Sequence, residues 1–453
     1  MSALYDSKTK TMNDYGIRSL LTENAKYQAW LDVEAALALA QGETGVIPDA
    51  DAKLIAESCQ LSNIDINKVK ALQEEIGHGF VPFIKMLVKA CPGESGKYVH
   101  FGVTTQNIQQ SAQLVVVKKV HEKFKIVIND ILRNLAKIAS EEAHTVVPGR
   151  THGRHAIPIT YGYKAAVWIE EFLTAVERLN ECEKRVFTIM MGGAVGAFNA
   201  SGEEGRCVQR HVAHRLNMNE MNIPSRNIGT HKVEYVQVLS LLANCCHKIA
   251  EEVYSTSLEE IGEVMEGFNK GTIGSSTMPH KVNPKLAKGI IANSQKLYSL
   301  PAVMLYSCCR PYEADSSSYM LLESSLHESL ELMTEIILRT EEITRTLYIN
   351  RERMKNNANL NHGLDNSELI MMKLAQKVGK DKAHEMVYTL TMESMRTGIP
   401  FIEVLLSDNA LAGLFTADEL NVMLLPENYT GLAATLAQES AHRANKILAP
   451  SAG

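Results

Sequence analysis

Three long stretches of this chain repeat apolar residues every three or four positions, which is the spacing of one face of an α-helix. The positions are Trp168, Phe172, Ala175, Leu179, Cys182 and Val186 in one stretch, Val238, Leu242, Cys245, Ile249 and Val253 in another, and Leu114, Val117, Val120, Phe124, Val127, Ile131 and Leu135 in the third. Each predicts a helix of about 20 residues or more, roughly 30 Å long. Such helices usually bury their apolar faces in a bundle. Because strand-like alternation is scarce, we predict an all-α fold with a long-helix bundle.

The length of the chain and its breaks indicate several domains. A chain of 453 residues exceeds what one hydrophobic core usually supports, so two or three domains are expected. Breaks that contain glycine or proline lie among the predicted helices at residues 91–105, 147–158 and 267–284. Functional loops on a rigid helical scaffold would lie at such breaks. After about Asn350 the predicted helices become shorter, which indicates a separate small domain.

Charge and cysteine usage exclude several classes of protein. The formal net charge is −6, so the basic footprint of a nucleic-acid-binding protein is missing. The first residues lack the pattern of a signal peptide, and no run of about 18 apolar residues predicts a membrane span. The 8 cysteines show no C-x-x-C spacing and fit reduced, mostly buried thiols. We therefore expect a cytoplasmic protein that has neither nucleic acid nor membrane as a partner.

Residues 274–284 form the most informative segment, Gly-Ser-Ser-Thr-Met-Pro-His-Lys-Val-Asn-Pro. Ser275 presents a hydroxyl group, Lys281 supplies a cation and Asn283 supplies an amide. Together these groups could hold an anionic substrate through a local cluster, even in a protein of negative net charge. By composition alone, the segment fits a polar surface turn equally well, because Gly, Ser, Asn and Pro favour turns.

A second segment, residues 149–158, reads Gly-Arg-Thr-His-Gly-Arg-His-Ala-Ile-Pro. Its two histidines, His152 and His155, could form an acid/base site or a metal pair, and a structural role is the alternative. A metal pair is disfavoured because no Asp, Glu or Cys lies close by at ligand spacing. We therefore expect no metal, and no motif in the chain predicts an organic cofactor.

A third segment, residues 100–107, reads His-Phe-Gly-Val-Thr-Thr-Gln-Asn and precedes a predicted helix. Thr104 and Thr105 could form an anion cradle at the positive N-terminus of that helix. The alternative is a simple N-cap, in which one threonine bonds a free backbone N–H group.

Taken together, the three segments resemble the signature regions of the fumarase/aspartase superfamily, in the same order. Residues 274–284 fill every fixed position of the superfamily signature G-S-S-x-M-P-x-K-x-N-P. Residues 149–158 resemble the G-R-T-H-G-x-H-A-x-P block of the branch that contains adenylosuccinate lyase and carboxymuconate cycloisomerase. Residues 27–37 are also similar to that branch. The resemblance covers nearly the whole chain.

This resemblance implies a fold of three mostly helical domains, which we place at residues 1–107 (N-terminal), 108–350 (central bundle) and 351–453 (C-terminal). It also implies a homotetramer in which the central helices of four copies pack together. Each active site would then be shared, because the three signature regions would come from three different chains. The small-molecule partner would be a dicarboxylate substrate.

The superfamily reaction is an anti elimination beta to a carboxylate, often with release of fumarate. Ser275 matches the catalytic base, which removes the proton from carbon, and His152 matches the general acid of the adenylosuccinate lyase branch. Donor groups and a cation near Ser275 would stabilise its anion. The positions that hold the substrate carboxylates are matched by Thr104, Thr105, Thr151, Lys281 and Asn283. The resemblance implies no cofactor.

Several positions depart from the adenylosuccinate lyase pattern. An Arg-Tyr pair that touches the nucleotide phosphate is replaced by Leu4-Tyr5, and a Q-R-D-R-H-like stretch is replaced by residues 227–232. The glutamate that orients the acid histidine is replaced by Lys288, and cycloisomerases of the branch also tend to lack that glutamate. These changes leave the leaving group of the substrate open.

His78 favours the adenylosuccinate lyase type. Residues 75–83 resemble the stretch that carries a second active-site histidine in that type, and His78 matches it, whereas cycloisomerases usually have no histidine there. A histidine that caps a helix start is the alternative. We therefore predict a fumarate-releasing C–N lyase, with a carboxymuconate cycloisomerase or a related dicarboxylate lyase as the alternatives. A structural protein without activity is disfavoured, because it would not need Ser275, His152, Lys281 and Asn283.

Overall fold

In a computed structural model, the structure describes residues 12–267, 277–278, 280–409, 411 and 413–448. The helices of this part are α1 (Ile17–Leu20), α2 (Glu23–Glu43), α3 (Asp49–Ser58), α4 (Ile66–Ile76), α5 (Val81–Ala90), α6 (Thr105–Glu141), α7 (Tyr161–Val186), α8 (Gly202–Arg215), α9 (Thr230–Thr256), α10 (Lys285–Cys308), α11 (Ser316–Thr346), α12 (Arg351–Ala358), α13 (Ser367–Val378), α14 (Lys380–Thr397), α15 (Phe401–Ser407), α16 (Ala417–Met423) and α17 (Ala433–Leu448). None of these helices has both the length and the hydropathy that crossing a membrane requires.

Short strands accompany the helices. They are β1 (Val146–Thr151), β2 (Arg154–Thr160), β3 (Thr188–Ile189), β4 (Asn219–Glu220), β5 (Val264–Met265) and β6 (Tyr348–Ile349). Each strand pairs with one other, as β1 with β2, β3 with β4 and β5 with β6. Because no larger sheet forms among the described residues, the predicted all-α class is confirmed.

The three long helices predicted from periodicity are confirmed. They are α6, α7 and α9, with 37, 26 and 27 residues. The apolar positions named for them are buried; Phe172, Leu179 and Leu242, for example, are inaccessible to solvent. The 3.6-residue period therefore identified both the helices and the faces that they bury.

The described residues divide into two compact units. Unit 1 falls within Met1–Val127, Ala175–Cys246 and Gly289–Arg339, and unit 2 falls within Ile128–Thr174, His247–Lys288 and Thr340–Gly453. This division follows contacts within the chain and does not test the three domains, which stay a prediction.

An aromatic cluster in unit 1 packs α2 against α5. The ring centroids of Trp30 lie 5.0 Å from Phe80 and 5.3 Å from Phe83, and Tyr27 stacks on Phe83 at 5.5 Å. Aromatic pairs at such distances stabilise beyond the area that they bury. The cluster fixes the start of α5, where one of the candidate site residues, His78, lies.

The C-terminal helices of unit 2 have a core of their own. It is formed by Ile370, Leu374, Ala383, Val387, Leu390, Phe401, Val404, Leu405, Leu411, Leu420 and Leu424. These side chains come from α13 to α16 and from the turns that follow α15 and α16. A separate hydrophobic core is the property expected of a small domain.

Unit 1 buries a lysine whose ammonium group contacts two glutamines. Lys232 on α9 is 1% exposed, and its Nζ atom donates to the side-chain oxygens of Gln110 at 3.3 Å and Gln113 at 3.4 Å. Burial and the nearby charge of Arg310 lower the pKa of Lys232 to about 7. The ammonium form is therefore unfavourable in the folded protein.

Replacing this lysine should stabilise the fold in a pH-dependent way. The folded-state pKa lies below the ordinary value of 10.5, so the cost of burying the charge is complete below pH 7 and disappears as the pH rises through 10.5. Lys232→Met keeps the volume and removes the charge. We expect it to raise Tm by at least about 2 °C at pH 6 and by much less at pH 10. A difference in Tm that does not change with pH would contradict this account.

Candidate active site

The candidate base, Ser275, lies outside the described residues. The end of its signature segment is described: the backbone N–H of Lys281 donates to the carbonyl of Met278 at 3.0 Å, which forms a turn. The Lys281 side chain is exposed and Asn283 is half-buried. An exposed cation and a neighbouring amide just before α10 could hold a carboxylate.

A buried carboxylate fixes the point where this segment enters α10. Glu266 is 8% exposed and accepts hydrogen bonds from the backbone N–H groups of Leu286 at 3.0 Å and Ala287 at 2.6 Å. These groups belong to the first turn of α10, where backbone donors lack helical partners and where negative charge is favourable. Glu266 precedes the signature segment and α10 follows it, so this contact joins described residues on either side of the segment.

His152 lies at the tip of a β-hairpin formed by β1 and β2. Residues Thr151 and Arg154 are paired, so His152 and Gly153 form a two-residue loop. Both have positive φ, 51° and 73°, as a type I′ hairpin turn requires. Thr151 and His152 are exposed. The turn thus presents the candidate acid to solvent, beside a candidate carboxylate ligand.

Two buried glutamates anchor this hairpin within unit 2. Glu263, 1% exposed, accepts two hydrogen bonds from the guanidinium of Arg150, at 2.9 and 2.5 Å. Glu142, 2% exposed, pairs in the same bidentate way with Arg351 of α12 at 2.9 and 2.5 Å. Asn357 also donates to Glu263 at 2.8 Å. Bidentate arginine–carboxylate pairs are geometrically specific, so the first strand of the hairpin is held near both of its ends.

The other candidate carboxylate ligands, Thr104 and Thr105, lie at the start of α6 in unit 1. The side-chain oxygen of Asn107 accepts hydrogen bonds from the backbone N–H groups of Thr104 and Gly193, each at 3.1 Å. The bond from Thr104 is half of a capping box, in which Asn107 supplies the side-chain acceptor. Both threonines remain half-buried at the helix terminus.

Thr105 and His100 line one cavity of about 330 Å³ together with Phe80, Val81, Ile84, Lys85, Val88 and Lys89. His100 has a positive φ of 60°, and its Nδ1 atom lies 2.6 Å from a carboxylate oxygen of the buried Glu34. Its ring centroid is 5.5 Å from that of Phe80. The cavity therefore combines apolar walls with positive charge from two lysines, which suits an anionic group with a carbon skeleton.

His78 caps the start of α5. Its Nδ1 atom accepts hydrogen bonds from the backbone N–H groups of Phe80 and Val81, each at 3.1 Å. Because both donors are backbone groups, the neutral imidazole must carry its proton on Nε2. The side chain is exposed, so Nε2–H is left to donate to a ligand. Capping and substrate binding are therefore compatible roles for this residue.

The structure places the described candidate residues in three groups. His78, Thr104 and Thr105 belong to unit 1, Thr151 and His152 to the hairpin of unit 2, and Lys281 and Asn283 to the end of the signature segment. Their roles in a site stay predictions.

The sequence did not reveal several residues that form hydrogen bonds around the candidate site residues. They are Glu34, Asn107, Glu142, Glu263 and Glu266. Glu34 and His100 are 66 positions apart, and Glu263 and Arg150 are 113 positions apart. No local signal connects such pairs. Glu34 interrupts the otherwise apolar run of residues 33–40, which was the one available hint, since a buried carboxylate needs a partner.

One cluster of potential metal ligands occurs among the described residues, in His121, Glu122 and Glu183. The imidazole of His121 and the ammonium of Lys125 already bond the Glu183 carboxylate, at 3.0 and 2.9 Å. Burial lowers the pKa of His121. Because Lys125 supplies the neutralising cation, we assign no metal to this cluster.

Comparisons with known families agree with these segments. The family described as "Lyase" matches residues 8–296, which include all three signature regions, and the family described as "Adenylosuccinate lyase C-terminus" matches residues 363–440. The chain belongs to the fumarase/aspartase superfamily. Within it, the chain falls in the branch of adenylosuccinate lyase and carboxymuconate cycloisomerase, as the signature segments had indicated.

Relatives in this superfamily span nearly the whole chain. An N-acetyl-S-(2-succino)cysteine lyase from Dickeya dadantii is 34% identical and covers 93% of each chain. An adenylosuccinate lyase from Methanocaldococcus jannaschii is also 34% identical, over 93% of this chain and 92% of the relative. The crystal structure of the 3-carboxy-cis,cis-muconate lactonizing enzyme from Pseudomonas putida is 24% identical, with a TM-score of 0.89 over 98% of this chain and 100% of that one. The last likeness establishes the fold.

Proposed function

We propose that this lyase eliminates fumarate from a succinyl-substituted amine or thiol. The observation that carries the proposal is that this chain has both parts of the expected machinery. His152 lies at the tip of an anchored hairpin, and Ser275, Lys281 and Asn283 belong to a complete signature segment. One segment offers a proton donor for a leaving atom, and the other offers a base and carboxylate ligands. An elimination beta to a carboxylate requires a base, a proton donor and groups that hold the carboxylate.

In the proposed mechanism, the Ser275 alkoxide removes a proton from the carbon next to a substrate carboxylate. The electron pair moves into that carboxylate, where Lys281 and Asn283 stabilise the added charge. The carbon–nitrogen or carbon–sulfur bond then breaks, and His152 protonates the leaving atom. The second carboxylate is held by Thr104, Thr105, Thr151 and the Nε2–H group of His78.

The first candidate substrate is adenylosuccinate, which His78 and the adenylosuccinate lyase C-terminal match favour. The second is N-acetyl-S-(2-succino)cysteine. It is favoured by two relatives with that activity in their names, each 34% identical to this chain, and by Leu4 in place of the arginine that touches a nucleotide phosphate. Both substrates would release fumarate, so the reaction class is shared and the leaving group differs.

We also propose that the enzyme works as a homotetramer with shared sites. Large apolar side chains near the ends of α10 and α11 in unit 1 support this: Tyr306 is 78% exposed and Met320 is 67% exposed. Apolar side chains that are exposed in one copy are commonly covered in an oligomer. That the enzyme acts in the cytoplasm stays a prediction.

An absorbance screen for fumarate tests the proposed function. The purified protein is incubated separately with adenylosuccinate, N-acetyl-S-(2-succino)cysteine, argininosuccinate, aspartate, malate and carboxymuconate. We expect fumarate from one of the first two. Turnover of carboxymuconate without fumarate would assign the enzyme to cycloisomerisation, and no turnover of any compound would reject the proposed function.

Lys281→Ala should mainly weaken substrate binding. A charge-assisted hydrogen bond of this kind contributes roughly 1.5–3 kcal/mol, so KM should rise by about ten- to a hundredfold. Steady-state kinetics with the active substrate measure this change. Lys53→Ala is the control, because Lys53 is an exposed lysine that pairs with Asp49 on α3. An unchanged KM in Lys281→Ala would remove Lys281 from the carboxylate site.

A further inference from the structure

Each strand of the hairpin has a basic side chain next to a carboxylate, and these two side chains lie at paired positions. Arg150 on β1 and His155 on β2 are directly paired, next to the two-residue loop. Arg150 binds Glu263, and His155 faces Asp365. We propose that Asp365 is a positioning residue, which holds His155 and thereby sets the position of His152. The inference rests on the proposed function, in which His152 is the general acid.

The side chains of His155 and Asp365 lie slightly farther apart than a hydrogen bond allows. The Nδ1 atom of His155 lies 3.6 Å from a carboxylate oxygen of Asp365, and the two side chains are only 15% and 9% exposed. Nδ1 is buried and makes no hydrogen bond within the part of the chain that the structure describes. A shift of less than about 1 Å would bring it to hydrogen-bond distance of Asp365, which satisfies both groups.

The Asp365 carboxylate is itself held in place. Its other oxygen accepts a hydrogen bond from the side-chain amide of Asn361 at 2.8 Å. Asp365 lies in a short 3₁₀ turn, Leu364–Asn366, and the side-chain amide of Asn366 in that turn bonds the carbonyls of Met423 and Leu425 at 2.8 and 3.0 Å. The turn is thus tied to the C-terminal helical core, so that core supplies the support for β2.

The positions of β1 and β2 determine where His152 lies, because it belongs to the loop that joins them. A two-residue loop with two positive φ angles has little freedom of its own, so displacement of either strand displaces the tip. A bulge between Pro148 and Arg150 adds a second constraint, since a side chain at Gly149 would collide with the carbonyl of Ile157. Catalytic groups lose efficiency when they are misplaced by about 1 Å. A strand released from Asp365 should therefore affect proton transfer more than substrate binding.

Asp365→Asn tests this role with kinetics. The variant keeps size and hydrogen bonding but removes the charge that faces His155. We expect kcat to fall about tenfold with KM unchanged within about twofold, and Asp365→Glu to recover part of the loss. Glu43→Gln is the matched control, because Glu43 pairs with His211 at 2.9 Å on the exposed surface of unit 1, and its activity should equal that of the wild type.

A double-mutant cycle separates positioning from a general structural effect. In the His152→Gln background, Asp365→Asn should cause no further loss of kcat, because the group that it positions is already gone. An equal further loss in that background would overturn the proposal, as would wild-type kcat in Asp365→Asn alone.

Hydrogen exchange gives a readout that does not depend on activity. Backbone amides of residues 150–156 should exchange at least about tenfold faster in Asp365→Asn than in the wild type, while Glu43→Gln leaves them unchanged. If the wild type releases no fumarate from any substrate, the proposed function fails, and this exchange still decides whether Asp365 holds the hairpin. Unchanged exchange at residues 150–156 would overturn the inference in either case.

Discussion

His152→Gln should lower kcat by at least about a hundredfold while the fold stays intact. Glutamine keeps a side chain that forms hydrogen bonds, but it cannot give a proton to the leaving atom. The tip of the hairpin is exposed, and its position depends on Arg150 and Glu263 rather than on His152 itself. Steady-state fumarate release measures the loss, and circular dichroism checks that the helices remain.

Two further variants make this result specific. His152→Asn is a second replacement, because asparagine tolerates the positive φ of 51° better than most residues, and it should be as inactive as His152→Gln. His214→Gln changes an exposed histidine on α8 and should retain wild-type activity. Wild-type kcat in either His152 variant would remove this residue from the mechanism.

Ser275→Ala should lower kcat by at least about a hundredfold, because it deletes the group that removes the proton from carbon. KM should change little, since Lys281 and Asn283 still hold the carboxylate. Ser275→Ala should also fail to catalyse exchange of the substrate C–H proton with deuterium from the solvent. NMR in deuterated water measures this exchange.

Ser299→Ala is the control for this substitution. Ser299 is an exposed serine on α10 whose hydroxyl bonds the carbonyl of Lys296 at 2.8 Å, so its loss should leave kcat unchanged. If Ser275→Ala still exchanged the proton at the wild-type rate, another group would have to be the base.

The long helices could be predicted from the sequence because they depend on local periodicity. Every third or fourth residue of α6, α7 and α9 is apolar, and burial of that face determines the helix regardless of its partners. The hairpin could not be predicted in the same way. Its register depends on the positive φ of His152 and Gly153 and on the bulge at Gly149, and the residues around it do not alternate in polarity.

The candidate site residues were found by their segments, but the residues that hold them were not. His152 and Lys281 stand within signature regions that are visible in the sequence. The contacts that position them join distant parts of the chain, as His155 with Asp365 and Glu266 with the first turn of α10. Local chemistry predicts which residue could transfer a proton, whereas only the folded chain shows which carboxylates lie close to the segment that carries this residue.

Reassembly of two inactive variants tests the central claim most directly, namely that one site takes Ser275 and His152 from different copies of the chain. Ser275→Ala and His152→Gln proteins are mixed in equal amounts, dissociated, reassembled and assayed for fumarate release. If the two groups come from different copies, about a quarter of the sites in randomly mixed tetramers have both groups intact. Activity should then return to about a quarter of the wild-type activity. If stable mixed tetramers form and activity stays at the level of the single variants, both groups come from one chain and the shared site is contradicted.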